Sequence, residues 1–181
     1  MNRYSSIIFA ALFVVAASVT ALAQQAAAPA QNANPMSAEL KGMYTRVKNN
    51  LIKMAEKMPE ENYSFKATPE IRTFGQLVGH VADAQAGACS AVNGEPKTLN
   101  AGQKTSKADL VAALKESFAI CDKAFDSLTD AKAGEMVTTG QRQRPRLAIL
   151  AGTISHSNEE YGYMSVYLRL KGIVPPSSEG R

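Results

Sequence analysis

Two histidines and one glutamate are the residues of this chain best equipped to do chemistry. His80 stands in GQLVGHVADAQ and His156 in GTISHSNEEYG, and the sequence has no other histidine. Both lie inside amphipathic helical patterns rather than in polar loops. Glu160 follows His156 by four residues and so shares its helix face. Two neutral imidazoles and a carboxylate turned into the interior of a helix bundle would make a three-ligand set for a divalent metal such as zinc, nickel or iron. Three protein ligands leave positions open for water, which such an ion turns into a nucleophile near neutral pH. Spacing alone more often means a plainer arrangement, in which each histidine is hydrogen-bonded at a core edge and Glu160, like Glu159 beside it, is a solvated charge. No HExxH, GxSxG, Walker-type or dinucleotide-binding motif sharpens the chemistry further.

These residues need helices to bring them together. Ser37 is placed to cap a first helix reaching about Lys57, with Leu40, Met43, Tyr44, Val47, Leu51 and Met54 at helical spacing. Pro59 marks its stop. Thr73 is placed to cap a second helix through about Val92, with Phe74, Leu77, Val78, Val81, Ala84 and Ala88 facing inward. Ser106, followed three residues later by Asp109, opens a third, whose stripe is Leu110, Leu114, Phe118, Cys121, Phe125 and Leu128. Pro145 suits the first turn of a fourth. That helix carries Leu147, Leu150, Ile154, Tyr161, Met164 and Leu168 and stops at Gly172. There is no β-hairpin signal. The expectation is an all-α four-helix bundle. The connection over 94–105 spans about 40 Å when extended, more than the roughly 30 Å length of a 20-residue helix, so helices two and three can run parallel. Cys89 and Cys121 lie at matching depths in those two helices, which favours a disulfide in a parallel pair and forbids one in an antiparallel pair.

Arg3, the apolar run over 7–19 and Ala21-Leu22-Ala23 form the pattern of a secretory signal peptide, 1–23. The run is too short for a comfortable span of about 20 residues, and no cysteine stands at the cut, so no stable membrane anchor is expected. Residues 24–36, rich in Ala, Gln, Asn and Pro, read as a flexible linker, and 37–181 as one domain. A periplasmic or secreted chain meets oxidising conditions, which favours the disulfide; two buried thiols are the alternative. The net charge of the whole chain is +4, and cleavage removes Arg3. So mild a charge argues against nucleic-acid binding. An unknown small molecule is the expected partner, and a homodimer is left open.

The stretches PEENYSFKATPEIRTFGQLVGHVADAQ and HSNEEYGYMSVYLRLKGIVPPSS resemble the DinB-like family, in its exported bacterial subgroup, and the likeness runs over about 40–178. The resemblance implies a bundle in up-down-down-up order. It also implies a divalent metal held by three histidines, one from the second helix and two from an HxxxH on the fourth. His80 and His156 match the first two positions. Glu160 stands where the family usually has the third histidine; it can ligate zinc or iron, but as a harder oxygen donor. The implied activity is that of a metal-dependent hydrolase or transferase on a small substrate. The alternative is a non-catalytic bundle that has lost the metal and binds a small ligand or a partner. Around the site, Asp83 is placed to orient an imidazole N–H and Gln76 to project toward the same cavity, while Tyr163 and Tyr167 are placed to line a pocket. Gly152, one turn before His156, leaves room for a helix or ligand to approach. Arg142, Arg144 and Arg146 form a basic cluster, either a solvated loop or a contact for an anionic substrate.

Overall fold

The apolar stripes become four helices in the structure, a computed structural model that describes residues 33–180. They are α1 (Pro35–Lys57), α2 (Phe74–Val92), α3 (Lys107–Asp126) and α4 (Arg146–Leu170). Their inward faces form one core, in which Leu51, Phe74, Val78, Leu114, Phe118, Leu150 and Met164 are fully buried. Tyr44 of α1 stacks on Phe125 of α3 with ring centroids 4.0 Å apart. Thr73 caps α2 in a full capping box: its hydroxyl accepts from the Gln76 N–H, and the Gln76 side chain accepts from the Thr73 N–H. Ser106 caps α3 by accepting from the Asp109 N–H.

The first helix starts differently from the expectation. Ser37 is not its cap but lies inside it, buried, and the expected linker ends earlier, because Pro35 already occupies the first turn. The cap comes from a distant residue instead. The Asp130 carboxylate accepts from the Ser37 hydroxyl at 2.6 Å, the Ser37 N–H at 2.8 Å and the Met36 N–H at 3.2 Å. A carboxylate at a helix N-terminus satisfies orphan donors and opposes the helix dipole. Met43, expected to face inward, is instead 45% exposed.

Side-chain contacts set the helix directions. Lys41 pairs with Asp126 and Glu56 with Lys115, so α1 runs opposite to α3. Gly75 approaches Leu110 near the start of α2 and α3, and Cys89 bonds Cys121 near their ends, so this pair runs in the same direction. The disulfide has its Cα atoms 4.9 Å apart. Tyr167 donates to the Arg72 carbonyl and Arg146 to that of Val92, which sets α4 opposite to α2. The connection from α2 to α3 returns along the flank of α2. Lys97 N–H donates to Ser90, and a Cβ on Gly79 would lie 2.8 Å from the Ala101 carbonyl oxygen. Only glycine permits that approach.

An antiparallel hairpin, absent from the sequence expectation, precedes α4. Strand β1 (Met136–Thr139) pairs with β2 (Arg142–Pro145), with Thr139 opposite Arg142 across a two-residue turn. Gly140 takes φ +59° at that turn, and a glycine there with β-branched Val137, Thr138 and Thr139 before it was the available signal. Both strands are largely solvent-facing, so no alternation of apolar residues marks them. Pro145 consequently ends β2 and precedes α4 rather than lying in its first turn. Among the described residues no helix is long and apolar enough to cross a membrane. The signal peptide over 1–23 and most of the linker lie outside the described residues.

Candidate metal centre

His80 projects from the middle of α2 and His156 and Glu160 from successive turns of α4, where the two helices pack in opposite directions. Their ligand-type atoms converge. The two Nε2 atoms are 3.0 Å apart, and Glu160 Oε1 lies 3.5 Å from that of His80 and 3.6 Å from that of His156. Donor atoms bonded to one ion at about 2.1 Å stand about 3.0–3.4 Å apart at octahedral or tetrahedral angles, close to this triangle. Each residue thus offers one donor to a common point.

The electrostatics fit a cation there. Glu160 is only 4% exposed, and its Oε2 is buried with no hydrogen-bond partner. A buried carboxylate without compensation is costly. Burial, and next the nearby Arg72 guanidinium, hold the His80 imidazole below its ordinary pKa, although Glu160 and Asp83 pull the other way. His80 is therefore neutral near pH 7 and offers a lone pair rather than a counter-charge. A divalent ion between the three side chains would use both lone pairs and neutralise the carboxylate.

Two expected neighbours are employed elsewhere. Asp83 does not hydrogen-bond the imidazole; its two oxygens accept from the Ala101 N–H at 2.8 Å and the Gly102 N–H at 2.9 Å, fastening the returning connection. Gln76 is held in the capping box of α2. Tyr163 and Tyr167 line a cleft of about 590 Å³ with Arg72, Leu77 and Val166, one helix turn from His80 and Glu160 and lined by neither. The Tyr167 hydroxyl donates to the Arg72 carbonyl at 2.6 Å, and that of Tyr163 to Glu159 at 2.7 Å. Sequence reasoning missed Arg72 as a charge on His80 because it precedes α2 in an irregular segment. It also missed Gln85, buried behind the centre, whose side-chain amide donates to the Thr153 carbonyl at 3.1 Å and to the Ser157 hydroxyl. That network braces the helix turn bearing His156.

The sequence pattern of the DinB superfamily matches residues 43–164, a stretch that contains all three residues of the centre. The chain belongs to the DinB superfamily. Solved structures of similar fold include a DinB-like protein from Bacillus cereus, with TM-score 0.66 and 20% identity over 76% of this chain and 93% of that one. A conserved protein from Enterococcus faecalis is similar at TM-score 0.60 and 15% identity, covering 75% and 96%. A DinB-like protein from Bacillus subtilis follows at TM-score 0.57 and 16% identity, covering 74% and 92%. At these identities the likeness speaks for the fold. No curated protein matches the sequence. Among the described residues, His80, His156 and Glu160 form a group that could hold a metal ion.

Proposed function

We propose that this DinB superfamily member is an exported metal-dependent enzyme, hydrolytic or group-transferring, that acts on a small molecule. His80, His156 and Glu160 would hold one divalent cation, zinc, nickel or iron. The convergence of their three donor atoms, with the buried Glu160 Oε2 left without a hydrogen-bond partner, carries this reading. A divalent ion so held supplies Lewis acidity to a polar substrate group or acidifies a water molecule. The rest falls to the chain. The cleft walls of Leu77, Val166, Tyr163 and Tyr167 would hold an apolar part of the substrate. Burial, and next Arg72 at the cleft, hold the His80 imidazole below its ordinary pKa and so favour the neutral, ligating form. The buried Cys89–Cys121 disulfide supports export, since such bonds persist outside the reducing cytoplasm.

The test is metal stoichiometry on protein purified without an affinity tag, followed by turnover assays. Near one equivalent in the wild type, lost in Glu160→Ala, with turnover abolished by His80→Ala and His156→Ala, is the expected result. No metal in the wild type, with uptake only in Glu160→His, would refute the reading and leave a non-catalytic binding bundle.

A further inference from the structure

On the far side of the centre from the apolar cleft lies a second, smaller recess of about 220 Å³, between α2, α4 and the hairpin. His156 forms one part of its wall and Arg144 of β2 another; Ala84, Ala88 and Ile149 contribute aliphatic carbon. No carboxylate lines it, so its fixed charge is positive. The Arg144 guanidinium donates from one nitrogen to the Ala148 carbonyl at 3.3 Å and has no ion pair among the described residues. Most of its five N–H donors remain available. Gly152 lies in the wall, one turn before His156. A Cβ there would meet nothing closer than Arg144 Nη2 at 3.8 Å, an ordinary contact. Packing therefore does not demand glycine, although glycine weakens a helix interior relative to alanine. What the missing side chain leaves is open space between Arg144 and His156.

We infer that this recess receives a short carboxylic acid, its carboxylate on the Arg144 guanidinium and its far end turned toward His156. A planar fork of N–H donors matches a carboxylate, and the alanine and isoleucine carbons match a short hydrocarbon body. The inference rests on the proposed metal centre for the role of the far end only.

Succinate is the probe and succinamide its neutral counterpart, each titrated calorimetrically into zinc-loaded and zinc-stripped protein, with zinc content measured on the same samples. Succinate should bind the wild type, and succinamide roughly tenfold or more weakly, as expected for loss of a charge-assisted pair. Arg144→Gln, at an exposed position, should weaken succinate by a similar factor, and Gly152→Leu should block it by filling the recess. If the leucine variant does not fold by circular dichroism, Arg144→Gln decides alone. Equal binding of succinate and succinamide, no binding of succinate, or an Arg144→Gln variant that binds like the wild type would overturn the inference. Arg144-dependent binding in protein that takes up no zinc on loading would uphold the recess and remove the metal reading. Zinc retention without succinate binding would do the reverse.

Discussion

Glu160 is the residue on which the proposed chemistry turns, because it is buried with one carboxylate oxygen left without a hydrogen-bond partner. At 4% exposure, with Oε2 unpartnered, the ionised carboxylate costs free energy unless a cation compensates it. The isosteric Glu160→Gln variant should therefore change stability in opposite directions in two states. In chelator-treated protein it should raise Tm, since a neutral amide replaces an uncompensated charge and can donate to an imidazole lone pair. In zinc-loaded protein it should lower Tm, since stabilisation by a bound ligand follows its affinity. Differential scanning calorimetry with and without zinc reads both, and a fall of Tm in the chelated state would mean that Glu160 has a protein partner.

At the scale of elements, the helix ends of the bundle are held by side chains with separate jobs. Thr73→Ala removes the cap of α2 and should cost about 1 kcal/mol, measured by urea denaturation. Asp130 caps α1 from across the bundle. Its hydrogen bonds with Ser37 hold its carboxyl below the usual carboxylate range. A group with a depressed folded pKa contributes stability above its unfolded value, about 3.9, and loses it as pH falls through the folded one. Asp130→Ala should thus lower Tm at pH 7, and its deficit should shrink once the pH falls below the folded pKa. An unchanged deficit in acid would mean that packing rather than the ionised cap was lost. Of these end contacts, the Thr73 and Ser106 caps were legible in the sequence, because a cap and the N–H it satisfies lie three residues apart. The Asp130 cap was not, because 93 residues separate it from Ser37.

Across the whole molecule, one covalent link ties the parallel neighbours α2 and α3. Cys89 and Cys121 are separated by 32 residues, and closing a loop of that size removes about 3–4 kcal/mol of unfolded-state entropy. The Cys89→Ala/Cys121→Ala pair should lose about that much in guanidinium titrations, whereas the same titration under reductant should leave the pair unchanged and destabilise the wild type. The C-terminal segment adds a second closure: Glu179 pairs with Lys53 and Lys57, and Tyr161 meets Ser177. It returns the chain to the end of α1.

What the sequence determined by itself follows from short-range physics. Apolar residues at helical spacing specify four amphipathic helices, and a four-residue interval places His156 and Glu160 on one face whatever the rest of the chain does. Only the tertiary structure decided how Asp83, Gln85 and Asp130 were spent, because their partners are remote in sequence. Asp83 met the backbone of Ala101 and Gly102 rather than an imidazole, and Gln85 met Ser157. The hairpin escaped notice because its strands face solvent and so carry no apolar period, yet it is the element that sets Arg144 beside the recess reaching His156. The meeting of His80 with His156, 76 residues apart, likewise belongs to packing: each helix could be read alone, but only the crossing of α2 and α4 aims their imidazoles at one point.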